Sequence, residues 1–251
     1  MKIKQLKPKG YIIYDGPSQI DGLPIVVIAL EDSKNNKTGK MLQTLIIKKD
    51  IDPITASRTG ADYSICGSCI HRGVPHNGSK GGAKKRSCYV MLLMVLSVYK
   101  AYIKGNYKTI LGHKNIQSVG DNLHVRLGTY GDPAAVPSYI WESLLSNSKG
   151  HTAYSHQANI ESADFRPDIF MRSADNLTEA KQAWQNGERT FRVTTNENDV
   201  VKGKEIICPA TPEGGQKTNC IKCLLCSGNT KQAKSIAVVV HGAGKKHFAT
   251  A

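Results

Sequence analysis

Short apolar runs alternate with helical patterns along most of this chain, and that beat narrows what it can fold into. Pro24-Ile-Val-Val-Ile-Ala-Leu30 is continuously apolar, as a strand buried on both faces must be. Met41-Leu-Gln-Thr-Leu-Ile-Ile47 follows a turn-forming segment, so the two runs are expected to pair as a hairpin. A helix is predicted from Val90 to Lys104, stopped by Gly105. Strands are then predicted at His124–Thr129, Thr152–Ser155, Ile169–Ser173, Arg189–Val193, Glu205–Cys208 and Ile236–Val240. One helix should begin near Pro137, and another at Asn176, where Glu179 completes a capping box and Gly187 closes the end. Strand–helix alternation of this kind makes a mainly parallel sheet. With 251 residues and about six or seven units, the expectation is an α/β, TIM-barrel-like fold, a partial or complete β/α barrel with cysteine-rich metal-binding loops. No linker divides the chain, so residues 1–251 are read as a single domain. Its parts are N-terminal strands at 1–63, a cysteine loop at 64–88, and β/α units at 89–251.

A parallel α/β barrel places its chemistry at the carboxyl ends of the strands. Those ends carry Asp132, His156, Arg172, Arg192 and His241, which are the candidate catalytic residues. Each also has an ordinary structural reading: a turn cap for Asp132, partly buried imidazoles for the histidines, and carboxylate pairing for the arginines.

The seven cysteines fall into two groups. Cys208, Cys220, Cys223 and Cys226 lie within nineteen residues, the last three spaced C-x2-C-x2-C. Two-residue steps let one loop present several thiolates to the corners of a [4Fe–4S] cluster, so these four are read as its ligands. Zinc is the alternative, because a four-cysteine structural site uses the same residues. Cys66, Cys69 and Cys88 form the second group, with His71 or His76 as a fourth ligand of a zinc site. The same three could hold a cluster with one open iron, or some of them could complete the C-terminal site. The residues leave these options open.

An odd cysteine count fits a closed disulfide framework poorly. The basic N-terminus has no apolar stretch behind it, so no signal peptide is expected. The run Val90–Val98 is too short to span a bilayer. A cytoplasmic protein with reduced thiols and no membrane partner is the expectation. Thirty-four Lys and Arg against 20 Asp and Glu give a formal charge of +14, which attracts phosphates and nucleic acid. The basic residues cluster at 2–9, 80–86 and 245–246, without a recognisable nucleic-acid motif.

Several segments carry a family resemblance. They are Tyr14-Asp-Gly-Pro-Ser-Gln-Ile-Asp-Gly-Leu-Pro24, Asp52-Pro-Ile-Thr-Ala-Ser-Arg-Thr-Gly-Ala-Asp62 before Cys66-x2-Cys69, Ser87-Cys88-Tyr89, Arg126-Leu-Gly-Thr-Tyr-Gly-Asp-Pro-Ala-Ala-Val-Pro137, and the Ala233-Lys-Ser-Ile236 and His241-Gly-Ala-Gly244 tail. Together they resemble an uncharacterised phage-encoded family, similar in layout to the mycobacteriophage gene-88-product family. The resemblance implies a TIM-barrel-like iron–sulfur protein, distantly like radical-SAM proteins and working in a bacterial host cytosol. It supplies no reaction. The radical-SAM pattern is C-x3-C-x2-C, whereas this chain has C-x2-C-x18-C, so SAM is not expected as a cofactor; Gly128-Thr-Tyr-Gly131 is the only candidate for its glycine-rich strand. The leading expectation is therefore a [4Fe–4S] protein, redox or radical-type, with unknown substrate. The alternative is a zinc-stapled, basic nucleic-acid-binding or host-interaction protein without catalysis.

Overall fold

The computed structural model describes residues 10–31, 37–230, 232–242 and 244–250. The basic cluster at residues 2–9 and part of the first predicted turn, residues 35–36, lie outside the described residues. In chain order the elements are β1 (Gly10–Pro17), β2 (Pro24–Leu30), β3 (Leu42–Lys48), α1 (Pro53–Thr59), α2 (Tyr63–Cys66), α3 (Leu92–Ile103), β4 (Lys108–Thr109), α4 (His113–Gly120), β5 (His124–Tyr130) and α5 (Ser138–Leu145). They continue with β6 (Gly150–Thr152), β7 (Tyr154–Ser155), β8 (Met171–Ala174), α6 (Leu177–Gln185), β9 (Thr190–Thr194), β10 (Glu205–Ile207), α7 (Cys220–Cys223) and β11 (Ser235–Val239).

The strands make two sheets, ordered β4-β1-β2-β3-β5-β6 and β10-β11-β9-β8-β7. The expected hairpin is present: β2 and β3 pair antiparallel from Ile25↔Lys48 to Leu30↔Gln43. Strand β1 adds antiparallel to β2. Every other pairing is parallel. The fold is thus mixed α/β with mostly parallel strands.

Burial explains why β2 and β3 sit centrally. All seven residues of β3 are buried, as are five of the seven in β2. An aliphatic side chain taken from water to such a place contributes about 1.5–3 kcal/mol. Helix α5 closes one side with Ile140, Trp141 and Leu144, and the Trp141 indole donates to the Pro133 carbonyl at 2.8 Å. Helix α6 is capped as its sequence predicts, with Asn176 Oδ1 accepting from Glu179 N at 2.9 Å. The Glu179 carboxylate reaches back to accept from Asp175 N and from the Asn176 side-chain Nδ2, each at 2.8 Å, rather than from the cap residue's own N–H.

One backbone residue joins the sheets. Between β6 and β7, Ala153 donates its N–H to Cys226 O at 2.7 Å, and its carbonyl accepts from Met171 N at 3.0 Å. The predicted strand at Thr152–Ser155 is thereby bent at Ala153, serving one sheet before the bend and the other after it. Edge strands β4 and β10 each have one neighbour, and no pairing among the described residues closes the sheets into a barrel. The physical reason is visible at the edges: β4 contributes two residues and β10 three, too little ladder for a closing pair.

Helix α3 buries only Val95, while Met91, Leu93 and Met94 are 61, 66 and 67% exposed. No helix among the described residues is long and apolar enough to cross a membrane.

Candidate metal centres

All seven cysteines are free thiols. They gather in two places, and each gathering has its own supporting frame.

The first is built around the loop after α1. Asp52 caps α1 by accepting from Ile54 N and Thr55 N at 3.0 and 3.1 Å, and Gly60 ends it in the left-handed region. Arg72 then ties the loop together. It pairs with Asp62 at 2.6 Å and donates to the carbonyls of Gly60 and Gly67 at 2.8 and 2.9 Å. Gly67 has φ +50°, and a Cβ there would lie 2.0 Å from Gln157 Oε1. That close approach is used: Gln157 accepts from Ser68 N at 3.0 Å and donates to Cys66 O at 2.8 Å and Asp132 Oδ2 at 3.0 Å. Asp132 also accepts from His156 N at 2.8 Å and Ala134 N at 3.0 Å, and its own N–H donates to Ile65 O. This buried carboxylate therefore fastens the cysteine loop to the carboxyl end of β5 and to the turn after β7.

The frame sets Cys66, Cys69 and Cys88 close enough to influence one another's charge, with His71, His156 and Asp175 beside them. Cys69 Sγ is 3.9 Å from His156 Nε2, and both His156 Nε2 and His71 Nε2 lie 3.1 Å from Asp175 Oδ1. Burial pushes the Cys66 thiol well up, with Asp62 and the two neighbouring thiols adding to it. Burial likewise raises Cys88 against the opposing Arg86 charge. Burial alone would lower the His156 imidazole, but Cys69 and Asp175 outweigh it and raise it well above its ordinary value. Burial would raise the Asp175 carboxyl, yet the two adjacent imidazoles bring it below the usual carboxylate range.

The second gathering is assembled by the C-terminal segment. Cys208 follows β10 and donates its N–H to Ala237 O at 2.8 Å, while its carbonyl accepts from Thr211 N and Oγ1. Asn219 caps the single turn of α7, where Cys220 and Cys223 sit. Cys220 N bonds Lys37 O at 2.9 Å, and Leu224, in the left-handed region at φ +49°, packs near Gly150. Behind Cys226, Arg189 donates to the carbonyls of Leu225 and Gly228 at 2.7 Å, Ala233 at 2.9 Å and Lys234 at 3.0 Å. One guanidinium thus pins the loop at four carbonyls. Burial pushes the Cys226 thiol up to about 12, and Cys208, Cys220 and Cys223 raise it further within that shift. Arg126 offers the opposing charge, hydrogen-bonded to Tyr154 and in the field of Cys220 and Cys226.

The two groups remain separate. The thiols felt by Cys66 are Cys69 and Cys88, and those felt by Cys226 are Cys208, Cys220 and Cys223. The first group meets the carboxyl ends of β5, β7 and β8. Three of the four C-terminal thiols are instead carried by a loop against Lys37, before β3, and Gly150, at the start of β6.

The other sequence candidates are placed as follows. Arg172 pairs with Glu188 at 3.0 Å and reaches Asn159. Arg192 forms a two-point pair with Glu205 at 2.8 and 2.7 Å, the side chains being 4% and 0% exposed. His241 contacts Val239 O and stands edge-on to Tyr89. His76 closes a local turn between Gly78 N and Gly82 O, away from the thiols, while His71 lies among them. Of the five catalytic candidates, Asp132 and His156 come together at the first centre. Asp175, Gln157, Arg126 and Arg189 were not singled out as site residues by sequence. For Asp175 the available signal was its position directly after a strand and before a helix cap.

No family model, no curated protein and no solved structure matches the chain.

Proposed function

We propose that this chain is a cytosolic iron–sulfur protein on a partial β/α barrel, with Cys208, Cys220, Cys223 and Cys226 holding a [4Fe–4S] cluster. The observation that carries this reading is that Cys208, after β10, and Cys220 and Cys223 all act on the buried Cys226 thiol, with Arg126 as the opposing charge. The donor set fits such a group. Burial raises the Cys220 and Cys226 thiols, so a cationic metal centre is what would make thiolates tolerable there. Arg126 offsets the negative charge that four thiolates bring. Spacing bears on zinc: no three sulfurs among the described residues all lie within 4.8 Å of one another. A zinc tetrahedron with bonds of about 2.3 Å needs its sulfurs about 3.8 Å apart, so zinc would require the loop to contract.

A cluster with four cysteine ligands has no open iron and supplies one-electron transfer when bound. The chain's own part is to hold the loop with Arg189, to offset charge with Arg126 and to pack Tyr154 and Phe191, whose rings stack at 4.2 Å, against the small core that includes Cys208. The resemblance to the phage-encoded family supports the same assignment and a bacterial host cytosol. The formal charge of +14 is consistent with an anionic ligand, phosphate or nucleic acid.

The test is anaerobic purification of the full chain. A brown protein absorbing broadly near roughly 400 nm, with about four irons per chain bound at this site, is expected. Cys223→Ser should remove that iron while leaving a folded protein. Colourless protein carrying stoichiometric zinc overturns the proposal.

A further inference from the structure

We propose a second metal site, independent of the cluster: a divalent first-row transition ion held by His71 Nε2, His156 Nε2 and Asp175 Oδ1. The three residues come from separate places, the short 3-10 turn Ile70–Arg72, the turn after β7, and the end of β8. Among the described residues this is the one set of three whose ligand atoms all lie within 4.8 Å of one another.

The geometry fits donors gathered on one ion. Donors adjacent on a metal with bonds of about 2.0–2.1 Å are about 2.9–3.4 Å apart. Both imidazole nitrogens are 3.1 Å from the same carboxylate oxygen. His156 Nε2 can hydrogen-bond that oxygen. His71 Nε2 is buried at the same distance and has no partner that meets hydrogen-bond geometry. An imidazole bound to metal points its lone pair at the ion and need not be aligned with the neighbouring donor. A buried ring nitrogen left without a partner is otherwise destabilising.

The surroundings match what a bound ion needs. His71 Nδ1 lies 2.9 Å from the buried Ser87 Oγ, which can accept its proton and leave Nε2 as the free donor. Phe248 stacks on the His71 ring with centroids 5.4 Å apart, and the His71 and His156 rings meet edge-on at 5.6 Å. Backbone anchors fix the other two ligands: His156 N on Asp132, and Asp175 N on Glu179. Two imidazoles and one carboxylate on one side of an ion leave positions open opposite, the donor set associated with iron(II) sites that take up a further ligand. Cys69 Sγ stands 3.9 Å from His156 Nε2, which puts a thiol at the edge of this site.

Cobalt(II), added anaerobically to the full chain, is the probe. An ion bound by nitrogen and oxygen alone shows ligand-field bands without a thiolate-to-cobalt charge-transfer band. One equivalent giving such bands is expected. His71→Ala and Asp175→Asn should each weaken binding by at least about tenfold, with circular dichroism confirming the fold. Cys223→Ser should leave these bands intact, although it removes the iron colour, so failure of the cluster reading and failure of this one are separable. Absence of the bands in the unmodified protein overturns the proposal, as do bands that persist in both variants. Cobalt bands that always accompany a thiolate band, and vanish in Cys69→Ser, place the ion on the sulfurs and overturn it as well.

Discussion

Gly67 shows how tightly single residues are specified around the first centre. Its φ of +50° strains any L side chain, and a Cβ would collide with Gln157 Oε1. Gly67→Ala must therefore either distort the Cys66–Cys69 turn or displace Gln157, breaking its bonds to Ser68, Cys66 and Asp132. A loss of about 1–3 kcal/mol is expected, read as a fall in Tm of several degrees. An unchanged Tm would mean the turn and Gln157 are not locked together as the geometry shows. Such pairings also explain which site residues sequence reasoning could reach. Cysteine spacing is local, so the two groups of thiols stand out in the sequence, as does His156 at a strand end. Asp175 and Gln157 matter through partners 19 to 104 positions away, such as Cys69 Sγ's neighbour His156 and His71, and local pattern is silent there. The bland readings of Arg172 and Arg192 were the physically apt ones, since each guanidinium found a carboxylate.

Elements whose sequence carries its own start and stop were recovered. Helix α6 has Asn176 and Gly187, and α3 ends before Gly105; β2 is a continuous apolar run, and β3 carries Leu42, Leu45, Ile46 and Ile47 into the same core. Strand β1 has no such signature, since Gly10–Pro17 mixes tyrosine, aspartate and glycine, and its place comes from pairing with β2. Helix α1 is signalled only by Asp52-Pro53, a cap followed by a first-turn proline. That cap makes a prediction of its own. Burial would raise the Asp52 carboxyl, but bonds from Thr55 and Ile54, with Arg58 nearby, lower it below its ordinary 3.8. A group lowered on folding adds stability above its unfolded pKa and loses it as pH falls through the folded one. Asp52→Ala should cost about 1 kcal/mol near neutral pH. The difference from the unmodified protein should shrink as pH drops below 3.8, which parallel denaturant titrations at each pH would show. A gap that stays constant into that range would assign the loss to packing instead of the ionised cap.

Across the whole molecule, apolar burial is divided unevenly. The main core spans the first sheet and its helices, including Ile13, Ile25, Ile28, Ile46, Ile47, Trp141 and Phe170. The core beneath the second sheet contains four buried residues, Met171, Cys208, Ile236 and Val238. One of those is itself a proposed metal ligand, and the segment after it, residues 209–226, forms little regular structure beyond α7. Polar devices supplement this small core: the buried Arg192–Glu205 pair, and Arg189 holding four carbonyls. Such a region opens more readily than an apolar core, and a metal bound only in the folded form stabilises it by mass action. Amide hydrogen exchange should therefore be slowest in β2, β3 and β5 whether or not metal is present. Residues 208–228 should exchange rapidly in metal-free protein and become protected when the thiols are loaded, with Cys223→Ser abolishing that protection. Equal protection of this segment in the loaded and metal-free protein would show that Arg189 and the small core suffice without metal, and that the four thiols contribute little to holding the second sheet together.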